Sequence, residues 1–207
     1  GVCLSEVTRE ICEGLDVKAK VLPMTDDRVI TRVFADGEEM SFHEFWVERD
    51  GKVNVDGIKF KNSEDASPAP GVIDAIHNSD ATIVGPSNPI TSLGPVLSIK
   101  EIRSALVENK EDVLAISPII WELPVSGPAG VLMDGLGHEV TPVGVARIYR
   151  DFVNTFMIHE EDDEMASKIE NLGMRVSSSD IYMPDIASRE RLASEVLELT
   201  GLSDCFD

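Results

Sequence analysis

Beyond Pro70 the sequence alternates between short apolar runs and longer segments in which apolar residues recur every three or four positions. The apolar runs lie at 81–84, 113–116, 155–158 and 174–176. Strands that are apolar on both faces are typical of a parallel sheet, because helices cover the two faces of such a sheet. The intervening segments have the spacing of amphipathic helices. The alternation therefore predicts an α/β fold, with a Rossmann-like, mainly parallel sheet and helices on both faces.

The segment 29–62 follows a different pattern. Its first half alternates between apolar and polar residues on either side of Asp36–Gly37, a dipeptide that favours the tight turn of a β-hairpin. A second hairpin is expected to run from Phe45–Val47 through a turn at Asp50–Gly51. We therefore interpret 29–62 as an antiparallel β-hairpin insertion.

The remaining residues, 1–28 and 63–207, are expected to form the Rossmann-like core, which we predict to be incomplete at its N-terminus. Near the start of the chain, the apolar spacing predicts a helix that ends at Gly14. Val21–Leu22 is expected to form a short strand that stops at Pro23.

Net charge excludes several classes of partner. The chain of 207 residues carries 38 acidic and 18 basic residues, which gives a formal net charge of -20. Nucleic acids and anionic membranes bind clusters of Lys and Arg, so neither is an expected partner. An acidic surface is usually a solvated one, and it would also suit a salt-rich cytoplasm.

The cysteines and histidines lack the spacing of a zinc site. The three cysteines, Cys3, Cys12 and Cys205, form no C-x-x-C pair, and the four histidines are scattered along the chain. No apolar run reaches the length of about eighteen residues that a membrane helix needs, and no secretory leader opens the chain. We therefore expect a soluble cytoplasmic protein without a disulfide framework.

The loop 85–92 is the strongest candidate for phosphate binding. Gly85 permits a close backbone approach, and the serine, asparagine and threonine side chains that follow supply uncharged donors before a predicted helix. Backbone amides and a helix dipole can hold a diphosphate in a protein that has few cations. The alternative is an ordinary strand-to-helix turn stiffened by prolines.

Two further sets of loop residues are candidates for ligand binding. Asp26 and Asp27 are adjacent carboxylates that could bind a Mg²⁺ ion, or could cap a turn. The second set is Ser117–Pro118, which follows a predicted strand, and Ser126–Pro128, which precedes a predicted helix. A serine at such a position caps a helix more often than it contacts a ligand.

Several motifs, in the same order along the chain, resemble the 2-phospho-L-lactate transferase family. The resemblance covers nearly the whole chain, and its motifs are Leu22–Asp27, Phe45–Val47, Gly85–Pro95, Ile116–Ile119, Val125–Gly130, Gly144–Ala146 and Tyr149–Phe152.

The resemblance implies a Mg²⁺-dependent step in the biosynthesis of the deazaflavin coenzyme F-420. In this step a 2-phospholactyl or phosphoenolpyruvyl group passes from a guanosine diphosphate conjugate to the precursor Fo, and GMP is released. The resemblance also implies an archaeal, cytoplasmic homodimer. The residues expected to bind the substrates are Met24, Thr25, Gly85, Pro86, Ser87, Asn88, Pro89, Thr91, Ser92, Ser117, Pro118 and Gly127, and Asp26 and Asp27 are the candidate metal ligands.

The chain departs from the family pattern at its start. The family opens with a strand, a loop rich in glycine and threonine, and an acidic residue tied to Fo binding, none of which occurs here. We therefore assign no catalytic acid, and expect either a fragment or a subunit completed by a partner chain. A nonenzymatic regulator that binds nucleotide sugars is the alternative from the same fold superfamily. Its central loop resembles Gly-Pro-Gly-Ser, whereas this chain has Ser87–Pro89 in that place. A noncatalytic remnant is the third possibility.

Overall fold

A computed structural model describes residues 1–203 as an α/β protein. The strands are β1 (Ile30–Ala35), β2 (Glu38–Ser41), β3 (Val55–Lys61), β4 (Thr82–Val84), β5 (Val113–Ile116), β6 (Ile119–Ile120), β7 (Leu123–Pro124), β8 (Thr155–His159) and β9 (Arg175–Ser179). The helices are α1 (Leu4–Gly14), α2 (Val72–His77), α3 (Leu93–Leu97), α4 (Lys100–Glu108), α5 (Ala129–Gly135), α6 (Pro142–Tyr149), α7 (Ala166–Glu170) and α8 (Ile186–Leu199). Within the described residues Cys3 and Cys12 are free thiols, and Cys205 lies outside them.

The predicted parallel sheet is confirmed. It has the spatial order β4-β5-β8-β9, and all neighbouring strands run parallel. Successive residues of β5 point to opposite faces, so that Ala115 joins the larger hydrophobic cluster and Leu114 joins a smaller one. Leu192 and Val196 of α8 cover the smaller cluster, and the other core helices cover the larger one. Helices therefore lie on both faces of the sheet, as predicted.

The first predicted hairpin is also confirmed. β1 and β2 pair antiparallel, with Ala35 opposite Glu38, so that only Asp36 and Gly37 form the turn. Both turn residues have positive φ angles, 49° and 78°. This is the backbone of a type I′ turn, which a residue pair such as Asp-Gly adopts at low cost.

The predicted second hairpin is wrong. Glu44–Glu48 form one π-helical turn instead of a strand, and β3 pairs with β1 to give the order β2-β1-β3. Phe45 is fully buried, whereas Val47 is 63% exposed. A strand would place these two residues on the same face, so the helical turn is the conformation that buries the phenylalanine alone.

Two glycines bring the antiparallel sheet close to helices of the core. A methyl group at Gly94 in α3 would overlap the ring of Phe60, and one at Gly135 in α5 would lie 2.6 Å from the carbonyl oxygen of Val55. Val55 belongs to the larger hydrophobic cluster. The insertion and the core therefore share one continuous apolar interior.

The N-terminal segment contains the predicted helix but not the predicted strand. α1 ends at Gly14 as expected, yet none of its residues is buried, and Ile11 is 56% exposed. Val21–Leu22 is not a strand, and β4 pairs with β5 alone at the edge of the parallel sheet. Among residues 1–203, no helix is both long and apolar enough to cross a lipid bilayer.

Candidate functional site

A cavity of about 450 Å³ lies beyond the carboxyl ends of β4, β5 and β9. Ligands of open α/β sheets bind at this edge, where the loops after the strands converge. Residues from those loops, from the segment that enters α5 and from the end of β2 line the cavity. They are Phe42, Pro86, Ser87, Asn88, Thr91, Ser92, Ser117, Pro118, Val125, Ser126, Gly127, Pro128, Ala129, Ile181, Tyr182 and Met183. None of these described lining residues carries a charge.

The carboxamide of Asn88 organises the loop after β4. Its Oδ1 accepts hydrogen bonds from the amides of Ile90, at 2.9 Å, and Thr91, at 3.2 Å. These two bonds fix which atom is the oxygen. The Nδ2 group is buried, and within the described residues it has no hydrogen-bond partner. A buried amide donor without a partner costs free energy unless a ligand or water accepts from it.

Most backbone amides of this loop are already used by the loop itself. Ser87 donates to the carbonyl of Gly85 at 2.7 Å, and Ser92 and Leu93 both donate to the carbonyl of Asn88. With the two amides that Asn88 Oδ1 accepts, five amides are committed to the turn. Side chains therefore supply the donors of this wall: the hydroxyls of Ser87, Thr91 and Ser92, and the amide of Asn88.

The loop after β5 is folded by Ser117. Its hydroxyl donates to the carbonyl of Ile119 at 2.7 Å and accepts from the Ile119 amide at 3.1 Å, and the residue is fully buried. Ser117 is therefore committed to the turn that starts the β6–β7 hairpin. The amide of Val125 donates to the carbonyl of Pro118 at 3.1 Å, which brings the segment 125–128 back to the cavity. Gly127 turns this segment with a φ of 73°.

The far end of that hairpin is held by a buried acid. Both carboxylate oxygens of Asp162 accept from the Trp121 amide, at 3.0 and 3.1 Å. Asp162 is 1% exposed, and this burial raises its pKa above the usual aspartate value. The contact holds Trp121 at a φ of 59°, an unusual angle for a bulky residue. Asp162 therefore fixes the hairpin whose exit segment forms one wall of the cavity.

The connection after β9 supplies a wall that the sequence analysis missed. Ile181, Tyr182 and Met183 lie there, and Phe42 and Val125 also line the cavity without having been predicted. A signal for the first three was present, because they follow a predicted strand of the parallel sheet. The apolar pattern predicts that this strand ends at 176, whereas it continues to Ser179, so the pattern does not identify the residues after it as a strand-end loop.

Several predicted site residues lie outside the cavity. Met24 and Gly85 line a neighbouring apolar groove, which shares Ser87 with the cavity. Thr25 is buried, and its hydroxyl donates to the carbonyl of Ser67. Pro89, within the loop 85–92, is buried and faces a different groove.

Asp26 and Asp27 hold backbone segments together. The hydroxyl and amide of Ser5 both donate to Asp26, and these bonds lower its pKa. Asp27 Oδ2 accepts from the Ser67 amide at 2.9 Å. In the part of the chain that the structure describes, no three His, Cys, Asp or Glu residues lie close enough to hold a metal ion. Both carboxylates thus accept hydrogen bonds from backbone amides, and Asp26 and Asp27 remain predicted metal ligands.

Comparison with known proteins points to one family. A family model described as 2-phospho-L-lactate transferase CofD matches residues 1–199. Proteins named 2-phospho-L-lactate transferase from Methanopyrus kandleri and Methanosarcina barkeri are 43% and 39% identical to the chain, over 96% and 99% of its length. The matches cover 63% and 66% of those two proteins, so the chain spans about two thirds of the length of these curated relatives.

A solved structure is similar in fold. It is a member of the upf0052 family from Bacillus halodurans, which matches 91% of this chain and 65% of its own chain with a TM-score of 0.64. The two sequences are 16% identical, so this likeness supports the fold alone.

Proposed function

Because the chain belongs to the 2-phospho-L-lactate transferase family, we propose that it contributes the donor-binding cavity of an enzyme of coenzyme F-420 biosynthesis. The enzyme transfers a 2-phospholactyl or phosphoenolpyruvyl group from a guanosine diphosphate conjugate to the deazaflavin Fo, and GMP is released. The resemblance also implies that the enzyme acts as a cytoplasmic homodimer.

The observation that carries this proposal is the buried Asn88 Nδ2 group at an uncharged cavity. A diphosphate oxygen is an acceptor that can satisfy this donor, and the hydroxyls of Ser87, Thr91 and Ser92 add further donors on the same wall. The wall therefore suits an anionic ligand in a protein whose formal net charge is -20. Uncharged donors bind a diphosphate without the cations that this chain has in short supply.

The reaction is a displacement at phosphorus. The acceptor hydroxyl oxygen forms a bond to the phosphorus atom of the phospholactyl group, and the bond from that phosphorus to the bridging oxygen breaks. The bridging oxygen leaves with GMP and takes the electron pair, and the proton of the acceptor hydroxyl passes to water. Such transfers depend mainly on positioning and on neutralising charge. In this proposal the cavity walls position the donor through uncharged hydrogen-bond donors.

The magnesium requirement is part of the proposal. Mg²⁺ usually keeps several waters and binds one or two carboxylates together with substrate phosphates. We propose that the ion would offset the negative charge of the donor diphosphate.

One assay tests the function directly. The protein, expressed from its complete natural reading frame, is incubated with Fo, Mg²⁺ and each guanosine diphosphate conjugate in turn. We expect GMP and a phosphorylated deazaflavin in equal amounts, and the preferred conjugate identifies the donor. Omission of Mg²⁺ should abolish turnover. Tight binding of a UDP-sugar without any GMP release would instead support the nonenzymatic regulator.

A further inference from the structure

The cavity has a second wall whose chemistry differs from that of the Asn88 loop. This wall is apolar and aromatic, and it consists of Phe42, Val125, Ile181, Tyr182 and Met183. Tyr182 is 51% exposed although it follows Ile181, which is 3% exposed. Because Tyr182 is half exposed and lines the cavity, its ring is accessible to a ligand there.

The backbone of Tyr182 is held in place by a network of charged side chains. Its amide donates to Asp180 Oδ1 at 3.0 Å. The guanidinium of Arg191 donates to Asp180 Oδ2 at 3.0 Å and to the Asp180 carbonyl at 2.6 Å. Glu195 in turn accepts from Arg191 at 3.1 Å.

Apolar packing fixes the same segment from the other side. The Ile181 side chain belongs to the smaller hydrophobic cluster, together with Leu192 and Val196 of α8. Tyr182 is therefore an exposed ring on a backbone that is held in place. Binding of a ligand over this ring costs little of the protein's conformational entropy. Rings of this kind are suited to binding flat partners.

We propose that Tyr182 stacks on the planar heteroaromatic ring of a substrate and so selects ring-bearing ligands for this cavity. The inference rests on the proposed function, in which the donor carries guanine and the acceptor carries a deazaflavin. Both rings are flat and share the chemistry that a tyrosine face recognises. The Asn88 wall then binds phosphate oxygens while the Tyr182 wall binds the ring.

The test compares three variants of the protein expressed from its complete reading frame. Tyr182→Leu keeps an apolar side chain but removes the flat ring, and Tyr182→Phe keeps the ring. Trp46→Leu is the matched control, because it also replaces a partly exposed aromatic ring by leucine, and Trp46, which is 37% exposed, does not line the cavity. Dissociation constants for GDP, Fo and inorganic pyrophosphate are measured by calorimetry for each protein.

We expect Tyr182→Leu to weaken the binding of GDP or Fo by about tenfold, the range seen when a stacked base loses its aromatic partner. Tyr182→Phe and Trp46→Leu should each change these constants by less than about twofold. Pyrophosphate has no ring, so its binding should be the same in all proteins. The ligand that loses affinity identifies the ring that Tyr182 contacts.

Other outcomes would overturn the inference. Unchanged binding of both GDP and Fo by Tyr182→Leu would show that Tyr182 does not stack, and equal weakening of pyrophosphate would show a distorted cavity instead. Either result leaves the proposed function intact if the wild-type protein still releases GMP. Wild-type protein that neither binds these ligands nor turns them over would overturn both proposals.

Discussion

Asn88 combines a structural and a binding role in one side chain. Its Oδ1 accepts the amides of Ile90 and Thr91, while its buried Nδ2 has no partner among the described residues. Substitution by Asp keeps the accepting oxygens and removes the donor. It also places a carboxylate against the donor diphosphate. We therefore expect Asn88→Asp to weaken GDP binding at least about tenfold, the scale of one lost charge-assisted hydrogen bond.

Asn88→Ala should behave differently. It leaves both loop amides without their acceptor, so the free energy of unfolding should fall by about 1 to 2 kcal/mol. Asn88→Asp should unfold close to the wild-type midpoint. Urea unfolding and GDP titration of the two variants separate these roles. Wild-type GDP affinity in Asn88→Asp would show that Nδ2 faces no ligand.

α8 begins at a cap that responds to pH. The Asp185 carboxylate accepts from the Ser188 amide at 2.9 Å and from its hydroxyl at 2.7 Å, and these bonds lower the pKa of Asp185. The pKa is lower in the folded state than in the unfolded state. The cap therefore contributes its full stability above the unfolded aspartate pKa of about 3.9, and loses it as the pH falls through the folded value.

Asp185→Asn is the matched variant, because asparagine also caps helices but does not titrate. We expect wild type to be the more stable protein near neutral pH, and the difference to shrink as the pH falls from about 6 to about 2.5. Thermal unfolding of both proteins across this range measures the effect. Parallel pH profiles would contradict the assignment, because the other acidic residues affect both proteins equally.

α6 crosses the preceding loop at Gly144. The Gly144 amide donates to the N-cap hydroxyl of Thr141 at 3.1 Å, and a methyl group at Gly144 would overlap the carbonyl oxygen of Glu139. Alanine normally favours a helix over glycine by about 1 kcal/mol. Here the clash is with backbone, so we expect Gly144→Ala to lower the free energy of unfolding by about 1 to 3 kcal/mol.

Gly130 in α5 is the control for that substitution. A methyl group there would lie 3.4 Å from Val140 and 3.5 Å from Pro124, which is ordinary contact. Gly130→Ala should therefore leave stability unchanged or raise it by up to about 1 kcal/mol. Chemical denaturation measures both variants. If both variants had the same free energy of unfolding relative to wild type, α6 would not approach the carbonyl of Glu139 as closely as described.

The sequence predicts well those elements in which the burial of each residue follows from the element's own apolar pattern. β5 is buried at all four positions, and its bounds match the prediction. Phe45–Val47 has the composition of a strand, but only tertiary packing determines that a helical turn buries Phe45. Val21–Leu22 is not a strand either, because two apolar residues before a proline do not determine whether the segment pairs with a neighbouring strand.

The residues of the candidate site fall into the same two groups: some are predictable from a single strand, and others depend on tertiary packing. The loop 85–92 was predictable, because the rule that ligands bind after parallel strands is local to each strand. Tyr182 and Phe42 were not predicted as site residues, since their place at the cavity depends on where β9 ends and on how the antiparallel sheet packs against the core. The hydrogen bonds of the loop amides and of Ser117 also depend on the three-dimensional fold.

At the scale of the whole molecule, a formal net charge of -20 opposes the approach of an anionic ligand. The described cavity residues include no Lys or Arg that would offset this repulsion. Salt screens charges that are more than about 10 Å apart at 0.1 M, while hydrogen bonds from hydroxyls and Asn88 inside the cavity are affected much less. GDP binding to this protein should therefore strengthen, by up to a few fold, as NaCl rises from about 0.05 M to about 0.5 M at constant Mg²⁺.

Guanosine is the control ligand, because it has the same base and sugar but no charge. Its dissociation constant should stay constant over the same range of salt, so that the ratio of the two constants isolates the phosphates. A protein that bound the diphosphate through Lys or Arg would show the opposite trend, because screening weakens attraction between opposite charges. GDP binding that weakens steeply with NaCl would therefore contradict a cavity that holds phosphate through uncharged donors. It would place a basic side chain beside the ligand.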